Sequence, residues 1–219
     1  NLADLMFRGK NLQDIITEGP DKIGFISGGS GIQELTRLSR EQIIYLTQKL
    51  FQLDKLADII IIDTGAGIAD SVIEFVAASS EVIIVATPEP TSITDAYALL
   101  KTLNKKSEFS VDNTNICMLA NRISGEDDGK ELYEKLRVVS DKFLQIPLTY
   151  LGGIPQDNNV SKAVIQQKPV TQLYPNSDAS KAIMKIAERL CNNTEEIVQE
   201  KKGMAQLFSY LIKSKYRKK

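Results

Sequence analysis

The chain has 219 residues, 42% of them hydrophobic and 25% charged, ordinary values for a globular protein with room for a substantial core. It contains no histidine and two cysteines, which excludes Ser-His-Asp and Cys-His triads and histidine metal sites, and argues for buried thiols in a reducing compartment over a disulfide framework. The formal net charge of −1 conceals an asymmetry: residues 201–219 carry seven Lys or Arg and no acid, so residues 1–200 carry −8. An acidic body with a basic tail points to a tail that seeks an anionic surface. No apolar run is long enough to cross a membrane as a helix, and no signal-peptide pattern opens the chain.

The first strand-like run is Ile23–Ile26, followed by Gly28-Gly29-Ser30-Gly31. This glycine cluster has no following Lys and lacks Walker spacing, so it reads as a turn. No G-x-x-x-x-G-K-[ST] occurs, and residue 1 is Asn. The expectation is a chain whose first strand, P-loop and first helix lie upstream. A helix is predicted over Arg40–Leu56, opened by a Ser39/Gln42 capping box. Asp58-Ile59-Ile60-Ile61-Ile62-Asp63-Thr64-Gly65-Ala66-Gly67-Ile68 comes next. Four consecutive Ile fit a central strand buried on both faces. Asp63 then stands at its carboxyl end, where open α/β sheets place ligands, and can hold Mg²⁺ through water. The Gly65 and Gly67 amides can approach a phosphate because no Cβ blocks them. The competing reading is a buried strand capped by an Asx-type turn.

After a helix over Ile68–Ala78, Val82–Ala86 predicts a second buried strand with the polar exit Thr87-Pro88-Glu89-Pro90-Thr91. Thr87 and Thr91 read as turn and cap residues before a helix over Thr91–Leu103. Asn115–Ala120 is a third strand, running into Asn121-Arg122. An Asn just past a strand offers a donor and an acceptor to an adenine edge, or makes a local Asx turn. A helix over Gly129–Phe143 leads to a strand at Thr149–Leu151. The loop Leu151-Gly152-Gly153-Ile154-Pro155-Gln156-Asp157 can wall a base. Helices follow over Val160–Gln166 and Ser177–Cys191, the latter with a weak Ser177/Ser180 capping box. Strands alternating with helices predict βαβ units and a mainly parallel, doubly wound α/β sheet with all strand C-termini on one edge. Asp63–Ile68, Thr87–Thr91 and Asn121-Arg122 converge there.

The tail places Met204, Leu207, Phe208 and Leu211 on one helical stripe flanked by lysines. That pattern suits an interfacial helix on an anionic leaflet, or a terminal helix docked on its own core. The organisation is therefore an α/β domain over 1–200 and a basic amphipathic helix over 201–219.

The ordered motifs D-T-G-A-G-I, T-P-E-P-T-S-I-T-D-A-Y-A-L, N-R, G-x-I-P-x-D and L-Y-P-N-S-x-A-S resemble the MinD/ParA-class P-loop ATPases. Within that class they are most similar to the flagellar-number regulators of the FlhG/FleN/YlxH family, from about Asn1 to Ala187. The resemblance implies an ATP- and Mg²⁺-dependent homodimerising switch, cytoplasmic and peripherally attached to the inner face of the cell membrane through the tail residues Met204, Leu207, Phe208 and Leu211. By position, Asp63 matches the carboxylate near Mg²⁺ and the attacking water. Thr64 and Gly65 match the loop facing the γ-phosphate, and Asn121 the adenine reader. Pro155 and Asp157 match the loop beside the base, and Arg122 matches either that site or a dimer face. An FlhF-type GTPase and flagellar C-ring components are the partners implied, with DNA disfavoured. The family's signature lysines have no counterpart here, so the resemblance implies ATP hydrolysis by the whole protein and not by these 219 residues alone. The alternatives are a septum-site or ParA-type partitioning ATPase, and a non-catalytic interaction module.

Overall fold

A computed structural model describes residues 1–28, 40–106, 109–111 and 114–196. They fall in two compact units divided between Gly65 and Ala66. The predicted turn residues Gly29–Gly31, the Ser39 cap and the tail stripe lie outside the described residues.

The first unit begins with α1 (Leu2–Phe7) and α2 (Leu12–Ile15). Asn1 caps α1 in a reciprocal box: its side chain accepts from the Asp4 N–H at 3.0 Å, and the Asp4 carboxylate accepts from the Asn1 backbone nitrogen at 3.2 Å. Leu5, Leu12 and Ile15 are buried. Next come β1 (Thr17–Glu18) and β2 (Gly24–Phe25), then α3 (Arg40–Leu50) and a 3-10 turn over Phe51–Lys55. Two expectations are corrected here. Ile23–Ile26 supplies a two-residue antiparallel partner for β1 and is not a strand of a parallel sheet. Ile59–Ile62 forms no strand, and Ile59, Ile60 and Ile61 are exposed, Ile61 at 86%. A strand exists only where its N–H and C=O groups find a ladder. Among the described residues this apolar run has none.

The second unit begins with α4 (Asp70–Ala78) and alternates strands with helices as predicted. The strands β3 (Glu81–Ala86), β4 (Asn115–Ile123) and β5 (Thr149–Pro155) form a parallel sheet in the order β3-β4-β5. The central strand is thus β4, not Ile59–Ile62. Ladders on both sides leave it hydrophobic on both faces, and Ile116, Cys117, Met118 and Ala120 are buried. β3 occupies an edge. Val82, Ile84 and Ala86 are buried, whereas Ile83 and Val85 are 42% and 55% exposed, so the expected double-sided burial holds on one face.

Between the strands run α5 (Pro90–Asn104) and α6 (Glu126–Phe143). After β5 come α7 (Asn158–Ile165), α8 (Val170–Leu173) and α9 (Asp178–Glu196). α5 buries Ala96, Leu100 and Leu103, and α6 buries Gly129, Leu132, Leu136 and Ser140, each a stripe at helical spacing. Three acids begin α6 and Lys142 lies in its last turn, matching the helix dipole. A Cβ on Gly129 would meet the Tyr150 hydroxyl and lie 3.4 Å from the Ala120 Cβ, so α6 lies close on the sheet and a larger residue there would require the Tyr150 ring to shift. Cys117 and Leu119 instead pack with Leu151, Ile186 and Leu190, which places α9 on the opposite face. Helices on both faces make the unit doubly wound.

Candidate nucleotide site

Three strand exits meet at the carboxyl edge of the parallel sheet. After β3, the Thr87 N–H donates to Ser92 Oγ at 2.9 Å. Pro90 then opens α5 at N1, where its missing N–H costs nothing. The segment is a turn and helix start as expected, but Thr91 is not its cap: Glu89 stands at the N-cap without a side-chain bond, Thr91 lies inside the helix, and Ser92 is the hydroxyl that bonds the turn.

The β4 exit is unusual. Asn121 pairs with Ile154 and Ile123 with Pro155, so Arg122 is an extra residue in the ladder. It bulges out with φ +57°, in the left-handed region that side chains disfavour. The Asn121 Oδ1 accepts from the Arg122 N–H at 3.0 Å. The Arg122 Nε donates to Gln156 Oε1 at 2.9 Å, and its Nη1 lies 3.7 Å from Glu89 Oε1. One guanidinium thus links the exits of all three strands while remaining 60% exposed.

After β5, the Gln156 N–H donates to the Ile123 carbonyl at 2.9 Å, extending the strand pairing to the loop. Asp157 caps α7, its Oδ1 accepting from the Asn159 N–H at 2.8 Å. Its Oδ2 accepts from the Ala179 N–H at 3.2 Å in the first turn of α9. These two amides, Asn159 first, hold the Asp157 carboxyl below its usual range, with burial opposing them. A carboxylate that closes two helix N-termini fixes the exit of β5, which runs through Pro155 where a loop was expected from Leu151 onward, and with it Gln156. Asp157 therefore acts on this edge through position.

The structure brings Asn121, Arg122, Pro155 and Asp157 together with Thr87–Glu89. Asp63, Thr64 and Gly65 belong to the first unit, where Asp63 is exposed and a Cβ on Gly65 would meet nothing within 4 Å. Sequence reasoning missed Glu89, Gln156 and the Ala179 amide. Gln156 was visible as the variable position of G-x-I-P-x-D, but its partner is 34 residues away. A separate open groove of about 680 Å³ is lined by α5 and α6, with Tyr97, Glu134 and Val138 among its walls, and includes none of the expected nucleotide residues.

The edge suits a purine base. It presents an amide with both donor and acceptor, a planar cation able to stack, and the proline that ends β5. A magnesium ion would come with the nucleotide as a hydrated cation, since Mg²⁺ keeps several waters and needs few protein carboxylates, and the exposed carboxylate of Asp63 is chemically suited to such a hydration shell. No group of three His, Cys, Asp or Glu able to hold a metal by itself occurs among the described residues. An iron–sulfur cluster does not fit. Cys117 is buried within β4, where loss of water raises its thiol pKa, and Cys191 is exposed on α9.

Residues 1–217 match the family model of "4Fe-4S iron sulfur cluster binding proteins, NifH/frxC family". The chain is 39% identical over 189 residues to the antiactivator FleN of Pseudomonas aeruginosa, covering 86% of this chain and 66% of that protein. It is 32% identical to the flagellum site-determining protein YlxH of Helicobacter pylori, covering 92% and 68%. The chain thus spans about two thirds of the length of these relatives. Its fold matches the septum site-determining protein MinD of Pyrococcus horikoshii, solved with Mg-ADP, at a TM-score of 0.62 and 19% identity, covering 89% of this chain and 74% of that one.

Proposed function

The chain belongs to the FleN/YlxH family within the MinD/ParA class of P-loop ATPases, and we propose that it carries the base-reading edge and Mg²⁺-side carboxylate of an ATP-driven switch that sets flagellar number or placement. The observation that carries this reading is the convergence of Thr87–Glu89, Asn121-Arg122 and Pro155–Asp157 on one sheet edge, joined through Arg122.

In the proposed site Asn121 donates and accepts at the adenine edge, and Arg122 and Pro155 flank the base. Asp63 holds the Mg²⁺ hydration shell, and the Thr64 and Gly65 backbone faces the γ-phosphate. Bound ATP with Mg²⁺ supplies the transferable phosphoryl group. The residues of this chain orient it and compensate its charge, which is most of what phosphoryl transfer asks of a protein. The phosphate cradle itself belongs to the whole protein.

ATP binding promotes a homodimer, and dimerisation concentrates two copies of the tail at an anionic membrane face. Two weak anchors joined in one particle bind far better than one. Among the described residues no helix is long and apolar enough to cross a membrane. Met204, Leu207, Phe208 and Leu211 supply the apolar contact in this reading, and seven basic residues the electrostatic one. The similarity to a flagellum site-determining protein favours the flagellar role over septum placement or DNA partitioning.

Steady-state ATPase assays with Mg²⁺ on the full-length protein test the site. Asp63→Ala is expected to cut turnover while leaving the melting curve in place, and Asn121→Ala to raise KM for ATP. Normal turnover and normal KM in both variants would refute the assignment.

A further inference from the structure

The base-reading role of Asn121 leaves open how a single amide distinguishes adenine from guanine. The Watson–Crick edge of adenine offers an acceptor at N1 and a donor at N6, whereas guanine offers the reverse, a donor at N1 and an acceptor at O6. An Asn side chain turned half a revolution about its last bond exchanges Oδ1 and Nδ2, and so matches either base. Selectivity therefore requires something that stops the amide from turning.

The structure holds such a stop. Asn121 Oδ1 accepts from the Arg122 N–H at 3.0 Å. In the turned amide an N–H would face that N–H, donor against donor. The second lone pair of Oδ1 and the two Nδ2 hydrogens remain for the base, with the order of acceptor and donor fixed. The stop works only while the Arg122 peptide keeps its direction. That direction comes from a bulge at φ +57°, where glycine is the default and an L side chain is disfavoured. Arginine stays there because its side chain is anchored at a distance. Nε donates to Gln156 Oε1 at 2.9 Å on the β5 exit, and Nη1 faces Glu89 Oε1 at 3.7 Å on the β3 exit. Gln156 is in turn placed by its own N–H on the Ile123 carbonyl at 2.9 Å, immediately after the bulge.

We infer that Arg122 is a positioning residue that makes the site selective for adenine nucleotides: anchored by Gln156 and Glu89, it holds the bulged peptide whose N–H fixes the Asn121 amide in the adenine-reading sense. The inference rests on the base-reading role of Asn121 proposed above. It assigns the arginine of the Asn-Arg pair to selectivity and gives Gln156 a function of its own.

The test is competitive displacement of a fluorescent ATP analogue from the full-length protein by ATP and by GTP, read as the ratio of the two affinities. Arg122→Ala and Gln156→Ala are each expected to lower the ATP-over-GTP ratio at least tenfold, mainly by improving GTP. Gln156→Glu keeps an acceptor oxygen for the guanidinium and is expected to retain the wild-type ratio. Because Gln156 does not touch the base in this scheme, its variants test the idea even if Arg122→Ala fails to fold. Ratios within twofold of wild type in every folded alanine variant, with Asn121→Ala abolishing selectivity, would overturn the inference and leave the base site standing. Wild-type ATP affinity and ratio in Asn121→Ala would instead remove the base site, and the inference with it.

Discussion

Ser180→Ala probes the packing that holds the base-side loop. Ser180 is fully buried at the start of α9. Its hydroxyl donates to the Val170 carbonyl at 3.2 Å and accepts from the Ser177 hydroxyl at 3.0 Å. Its backbone N–H donates to Ser177 Oγ at 3.2 Å, which makes Ser177 the helix cap. Alanine removes both side-chain bonds, each contributing about 0.5–1.5 kcal/mol net. Two features soften the loss: the Val170 carbonyl keeps the Tyr174 N–H at 2.8 Å, and the half-buried Ser177 can turn toward water. The expected cost is therefore about 1–2 kcal/mol. A domain of this size loses roughly 2–4 °C of Tm per kcal/mol. Ser177→Ala, which strips the cap, is expected to cost about 1 kcal/mol. The two changes delete the same hydroxyl–hydroxyl bond, so the double variant should fall short of the sum by about 0.5 kcal/mol or more. Urea unfolding followed by circular dichroism on wild type, both single variants and the double variant measures the cycle. Additivity within about 0.3 kcal/mol would refute the shared bond, because uncoupled sites add to that accuracy.

Acid stability reports on Asp157. Its folded pKa is depressed, so its contribution is present above the ordinary carboxyl value of 3.8 and is lost as pH falls through the lower folded value. Melting curves from pH 7 to pH 2 should show Asp157→Asn less stable than wild type at neutral pH, with the gap closing below pH 3.8; a constant gap would count against the double cap. Thiol labelling at pH 8 should modify Cys191 rapidly and Cys117 only in urea, since Cys117 is buried with a raised thiol pKa. Equal labelling of both in the native state would contradict the β4 packing. In liposome co-sedimentation with ATP, full-length protein should pellet with anionic vesicles less well as salt rises. Phe208→Glu should weaken pelleting more than Phe208→Ala, whose lost burial amounts to about 1–3 kcal/mol. Equal pelleting of wild type and both variants would remove the membrane role from the tail.

Local pattern was enough to place most of the second unit. The apolar runs at 82–86 and 115–120 became β3 and β4, and the helical stripes between them became α5 and α6 within a few residues at each end. The S-x-x-S pattern at Ser177 marked the start of α9. These signals depend on neighbours within one or two turns, where propensity, period and capping act. The isoleucine run at 59–62 misled because hydrophobicity shows that a segment suits a buried strand but does not supply the ladder that makes it one.

By itself the sequence determined the alternation of strands and helices, the parallel sheet with polar exits at one edge, and the family resemblance carried by D-T-G-A-G, N-R and G-x-I-P-x-D. Tertiary structure alone decided which strand is central, that Arg122 is a bulged residue at positive φ, and that Gln156 anchors it. It also decided that Asp157 closes two helices and not one. Each of these decisions is a hydrogen bond or ladder between residues far apart in the chain, 34 positions for Arg122 and Gln156 and 22 for Asp157 and Ala179. Such pairings depend on where the sheet brings the strand ends, and no local spacing encodes that.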